Sequence, residues 1–181
     1  SEPRLPAAQA ATFYAGGPRD GASPEEIVQG FLNAQAAGYA DGFAVAREFL
    51  ASTISSASDP TTQVRVHADT SAPQITTAGD GTVAVTADLA AAVGADGNYT
   101  EAPRGVKAGR GFSLARTASD QWRIVDLPDG VMLKTYFFTP VFVAQPLYYL
   151  TQDRGALVPE LRWCCLLYSS PSPRVKRQSR M

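Results

Sequence analysis

The sequence predicts an α+β fold in which two N-terminal helices pack on a curved antiparallel sheet. Apolar residues recur at helical spacing only between residues 24 and 51. Beyond that stretch the period changes to two and stays there. No helical segments alternate with the strands, as a parallel sheet would require.

Residues 1–22, SEPRLPAAQAATFYAGGPRDGA, hold three prolines and three glycines without a sustained period and read as a linker or extended arm. Ser23-Pro24-Glu25-Glu26 is a helix start: serine as N-cap, proline where its missing N–H costs nothing, and Glu26 placed to close a capping box. Ile27, Val28, Phe31, Leu32 and Ala34 follow at helical spacing, and Gly38 is expected to end a helix over 24–38. Asp41 is a candidate second N-cap, and Phe43, Val45, Ala46, Phe49 and Leu50 predict a shorter helix over 42–51. STISSASDPTT is a loop by composition. Then Val64 and Val66 alternate, followed by Val83, Val85, Ala87 and Leu89, by Phe112 and Leu114, and by Trp122 and Ile124. Gly79-Asp80-Gly81, 95–98 and 118–120 supply turn chemistry between them. The strand over 121–127 is expected to be the last of the sheet, with Leu127-Pro128-Asp129-Gly130 as its stop and the domain ending near Leu133. The predicted core is Ile27, Phe31, Phe49, Val85, Phe112, Leu114, Trp122 and Ile124. Two apolar strand-like runs, PLYYLT and ALVPELRW, then form a hairpin with nothing evident to pack on.

At 181 residues the chain has room for one ordinary domain and part of a second. The net charge of −1 is uneven, because Arg174, Lys176, Arg177 and Arg180 leave 12 basic against 17 acidic residues elsewhere, a body at −5. That excludes the clustered basic face that nucleic acid needs. The only cysteines are the adjacent Cys164 and Cys165, and a cysteine-free body is compatible with an extracytoplasmic protein. No apolar run approaches the roughly 18 residues of a membrane span. A signal or anchor is therefore expected upstream of Ser1.

The segments SPEEIVQGFLNA, FAVAREFL, GFSLARTASDQWRIVDLPDGVML and LYYLTQDRGALVPELRW resemble, in order and spacing, the N-terminal region of the LpqB-type lipoproteins of actinobacteria. The resemblance covers residues 20–163. It implies a secreted precursor anchored in the membrane by a lipidated cysteine, with an N-terminal domain, a GerMN-like domain and a propeller-like C-terminal region. It also implies an accessory role for the MtrAB two-component system, through the extracytoplasmic sensor region of its histidine kinase. The implied N-terminal fold is cystatin-like, of the nuclear transport factor 2-like kind. On this reading residues 1–22 are an arm, 23–134 the N-terminal domain, and 135–163 a connector and the first hairpin of a truncated GerMN-like domain. Residues 164–181 depart from the family; their shift in composition marks a frameshift or vector-derived tail, expected to be disordered and to add nothing to the packing. The fragment itself is expected to be soluble.

The chemistry-bearing residues form no constellation. His67 is the only histidine, out of phase with Val64 and Val66 and expected on a solvated face; it has no second ligand for a metal and no nucleophile elbow to serve. Asp88, a carboxylate on an alternating strand, falls on the polar side. Asn98-Tyr99-Thr100 fits a glycosylation acceptor by chance, and GVKAGRGF lacks the order of a phosphate loop and reads as a flexible strand entry. No catalytic residue, cofactor or metal is expected, and the chain is expected not to be an enzyme. Tyr136, Phe137, Phe138 and Phe142 are the richest aromatic cluster, an interdomain seam or a partner patch that this chain would leave exposed. The first expectation is an interaction module. The second is a binder of a lipid or cell-wall fragment in the cavity between helices and sheet. An enzyme of the ketosteroid-isomerase type on the same fold comes third.

Overall fold

The helix start written into Ser23–Glu26 forms as a capping box, with the Ser23 hydroxyl accepting from the Glu26 N–H and the Glu26 carboxylate accepting from the Ser23 N–H. The computed structural model of the chain describes residues 14–54, 59–153 and 155–165. In chain order the elements are α1 (Pro24–Asp41), α2 (Ala44–Glu48), β1 (Gln63–His67), β2 (Gln74–Ala78), β3 (Thr82–Gly94), β4 (Tyr99–Glu101), β5 (Lys107–Arg116), β6 (Trp122–Asp126), β7 (Val131–Lys134), α3 (Thr135–Phe138), β8 (Phe142–Leu150) and β9 (Leu157–Cys165). The fold is α+β with a mostly antiparallel sheet.

α1 runs past the expected stop. Gly38 lies inside it, and the left-handed residue that ends it is Gly42, at φ 66°. Gly38 is there for packing: a Cβ at that position would overlap the ring of Phe43, and one at Gly30 would come within 2.6 Å of the ring of Phe49. The two glycines, two turns apart on one helix, are notches that receive two phenylalanines from the segment that follows. α2 is accordingly shorter than the expected 42–51, because Phe43 adopts a left-handed conformation (φ 64°) to turn its ring back onto α1.

The seven-stranded sheet runs β6-β5-β3-β1-β7, with β2 and β4 also paired to the long β3. Strand β6 is not the last. The corner at Leu127–Gly130 carries the chain across to β7, which pairs with β1 in a parallel ladder, Val64 opposite Val131 and Val66 opposite Leu133. Gly130 is required at this corner: its φ is +86°, and a Cβ there would overlap the Gln63 carbonyl oxygen.

Ile27, Phe31, Phe49, Val85, Phe112, Leu114 and Ile124 are buried as expected. Phe31 meets Phe112 edge to face, with centroids 6.0 Å apart. Trp122 corrects the expectation, being half-buried, because β6 lies at the end of the sheet path and the Arg116 guanidinium, 4.7 Å above the indole, takes the place of further core.

Strands β8 and β9 form a separate two-stranded ribbon with unbroken register from Phe142↔Cys165 to Leu150↔Leu157. Paired residues share a face. One face is wholly apolar: Phe142, Ala144, Pro146, Tyr148 and Leu150 with Leu157, Pro159, Leu161, Trp163 and Cys165. The other mixes Val143, Leu147 and Tyr149 with Gln145, Glu160 and Arg162. The expected absence of a packing partner holds for the tip alone. At the base, Phe142 stacks on Phe138 at 4.7 Å and meets Tyr39 at 5.3 Å, Trp163 stacks on Tyr99 at 4.9 Å, and the Trp163 N–H donates to the Gly97 carbonyl (2.8 Å). Cys164 and Cys165 belong to β9, and Cys165 packs against the core, so these two residues are ordered where a disordered tail was expected. The rest of that tail lies outside the described residues.

Candidate functional site

The residues singled out as aromatic divide into two groups. Phe138 and Phe142 are buried, Phe137 is half-buried and Tyr136 is exposed. The expected exposure of the cluster is thus corrected for two of its four members, because the ribbon folds its base back over α3. The exposed apolar surface lies further out, at the ribbon tip, where Tyr148, Leu150, Leu157 and Leu161 are each about 60% exposed.

His67 also departs from expectation. It is buried, at 5% exposure. Between Val66 and His67 the β1–β3 register skips Ala90, a bulge on the β3 side; alternation along β1 holds, but the face that His67 shares with Met132 and Lys134 is covered by α1 instead of solvent. The ring shares a hollow of about 170 Å³ with Leu32 and Ala36 of α1 and Met132 and Lys134 of β7. Its Nδ1 lies 3.4 Å from the Ala68 carbonyl. Burial, aided by the nearby Lys134 charge, holds the imidazole below its usual pKa against the opposing Ala68 carbonyl and Asp69.

Arg110 carries a role that the sequence reading missed. The segment GVKAGRGF is not a flexible entry but the start of β5, a strand inside the sheet path, and Arg110 is only 4% exposed. Its Nη2 donates to the Pro128 carbonyl (2.6 Å) and to the Gly130 carbonyl (3.0 Å), and its guanidinium lies 5.6 Å from the Phe112 centroid. Burial, then the Arg65 charge, pushes its pKa down to about 10, with Asp129 opposing. The same corner is tied from outside: Asp129 accepts from the Asp59 N–H (3.1 Å) and Gly130 N–H donates to the Asp59 carbonyl (3.0 Å). Arg110 therefore holds the turn that delivers β7. Its signal was present in the sequence as parity, two residues before Phe112 and four before Leu114.

The remaining candidates are structural. Asp88 accepts from the Ser71 hydroxyl (2.8 Å) and pins the loop before β2. Asn98 donates its backbone N–H (3.0 Å) and its side-chain amide (3.2 Å) to the Asp96 carboxylate in the β3–β4 turn and accepts from Arg162, joining that turn to the ribbon. Among the described residues no group of three or more His, Cys, Asp or Glu side chains is placed to hold a metal ion. The hollow beside the buried Gln35, lined also by Phe31 and Phe43, measures about 40 Å³, room for about one water molecule. Phe31, Phe49, Phe112 and Ile124 are each buried to 2% exposure or less. A larger cleft, about 750 Å³, lies between arm residues 14–22 and α1 and reaches Phe49.

Residues 17–139 match the family model described as the N-terminal domain of lipoprotein LpqB. The chain is 33% identical to the lipoprotein LpqB of Cutibacterium acnes over 144 residues, which is 80% of this chain and 24% of that protein. It is 32% identical to the lipoprotein LpqB of Bifidobacterium longum over 160 residues, 81% of this chain and 27% of that protein. With the lipoprotein LpqB of Thermobifida fusca it shares 27% identity over 149 residues, 80% of this chain and 24% of that protein. The chain thus spans about a quarter of the length of these curated relatives. No solved structure is significantly similar to it.

Proposed function

From the premise that the chain belongs to the LpqB lipoprotein family, whose N-terminal domain it contains, we propose that it is a non-catalytic interaction domain of a cell-envelope lipoprotein. The relatives are named as lipoproteins, which supports an extracytoplasmic protein held at the membrane by a lipid anchor. Among the described residues no helix is long and apolar enough to cross a membrane. The partner we assign is the extracytoplasmic sensor region of the histidine kinase of the MtrAB system, and the support for that identity is the family resemblance.

The observation that carries an interaction role is the ribbon face formed by β8 and β9. Its base is covered by Phe138 and Tyr99, and its tip presents Tyr148, Leu150, Leu157 and Leu161 to solvent. A half-covered apolar face of this kind marks a place where more protein docks. We assign residues 23–134 to the N-terminal domain, with a cystatin-like fold of the nuclear transport factor 2-like kind, and residues 135–163 to the connector and first hairpin of a GerMN-like domain. On this assignment the rest of that domain covers the ribbon tip, and the kinase meets the acidic body. The tight packing of Phe31, Phe49, Phe112 and Ile124 favours this reading over a lipid bound among them.

The test is a titration of the purified chain against the soluble sensor region of the kinase at low and high salt. Binding that weakens as salt rises supports a contact made by the acidic body, because screening shortens to about 3 Å near 1 M. No binding at about 1 mM in either condition refutes a direct role for this domain.

A further inference from the structure

We propose that the hollow at His67 and the cleft under the arm form one trough that binds an elongated, hydroxyl-rich ligand bearing a carboxylate, in chemical class an acidic oligosaccharide. The two spaces, about 170 Å³ and about 750 Å³, are lined in common by Gln29, Asn33 and Phe137. Together they reach the size of sites that enclose small ligands, which run from about 300 to 1,000 Å³.

The lining selects the ligand. The His67 Nδ1 approaches a carbonyl, which can only accept, so Nδ1 carries the proton and Nε2 is left as an acceptor. The depressed pKa of the ring, from burial and from Lys134, keeps that acceptor available at neutral pH. On the neighbouring turn of α1 the Gln29 amide donates through Nε2 to Asn33 Oδ1 (3.2 Å). That bond orients both amides, and no other hydrogen bond among the described residues uses Gln29 Oε1 or Asn33 Nδ2. The lining thus holds an acceptor at His67, a donor at Asn33 and an acceptor at Gln29, together with the Phe137 ring. A hydroxyl both donates and accepts, and a pyranose adds a C–H face that packs on an aromatic ring. Lys134, which enters no ion pair among the described residues, supplies one cation at the inner end. The single cation of the inner hollow suits a carboxylate there, while Arg19 beside Asp20 and Glu26 leaves the outer cleft without the excess of positive charge that a polyphosphate needs. The amides and the lysine exclude an acyl chain.

The experiment uses the intact chain, titrated calorimetrically and by backbone amide NMR with a hyaluronan tetrasaccharide as the acidic probe and cellotetraose as the neutral one. The expected result is a dissociation constant below about 1 mM for the acidic probe, with shifts at residues 29, 33, 67 and 134. Lys134→Met should weaken the acidic probe at least about tenfold and leave cellotetraose unchanged, whereas Asn33→Ala should weaken both. An unchanged melting temperature shows that each variant is folded. No binding of either probe at about 5 mM overturns the proposal, as does acidic binding that Lys134→Met leaves intact. Because no kinase is present, the result is independent of the partner assigned above.

Discussion

Arg110 shows how one side chain can organise a corner of the fold at an electrostatic cost. Burying a guanidinium without a carboxylate in ion-pair contact is unfavourable, and its lowered pKa of about 10 registers that cost. The two carbonyl bonds and the stem packing offset it. Arg110→Ala is expected to lower stability by about 3 kcal/mol in a chemical melt, since it leaves a cavity and two unsatisfied carbonyls. Arg110→Met refills the volume and removes the charge, and should recover at least half of the loss. His67 makes a pH-dependent contribution. Its folded pKa lies below the unfolded value of about 6.5, so the unfolded chain takes up a proton that the folded chain resists, and stability falls as pH drops through about 6.5. As the chain has one histidine, His67→Gln should flatten the melting temperature between about pH 7 and pH 5, with Lys134 and Asp69 as the charged neighbours still in place. Both residues were misplaced from sequence for local reasons. Alternation put His67 on a wet face because nothing in the local sequence shows that α1 covers that face, and Arg110 was passed over because two flanking glycines suggested a loop.

At the level of helices and strands the sequence was more legible. The Ser23–Glu26 box, the change of period and the in-phase core of β3, β5 and β6 fix the α+β class without any long-range information. Gly30 and Gly38 were harder, because a glycine that breaks a helix and one that notches it look the same in one dimension. The structure separates the two roles. Gly→Ala in an exposed helix interior gains up to about 1 kcal/mol. Here Gly38→Ala is expected to lose about 1–3 kcal/mol in a thermal melt, because the new methyl overlaps the buried ring of Phe43. Gly38→Ala combined with Phe43→Leu should lose less than either change alone would suggest, the signature of a direct contact. The parallel β1–β7 ladder was not legible at all, since nothing in a short strand such as VMLK names its partner.

For the molecule as a whole the sequence reading ended the domain near Leu133 and left the hairpin after it with nothing evident to pack on, and the packing argues otherwise. Phe138 and Phe142 lie inside the single buried cluster, and Trp163 seals it over Tyr99. Ending the chain at Thr139 is expected to lower the melting temperature by about 5–10 °C, from roughly 2 kcal/mol of apolar burial removed. An unchanged melting temperature would show that the ribbon base is only resting on the domain. The position of β7 also sets an order of events. β3, β5 and β6 are near neighbours in sequence and can zip together by short loops, whereas Val64 must wait for Val131 from the far side of all of them. Phe112→Ala should therefore slow folding in stopped-flow experiments, while Leu133→Ala should chiefly hasten unfolding. Until β7 arrives, β1 keeps one bare edge open to any strand within reach, and a chain halted before Val131 is the form of this protein most ready to aggregate.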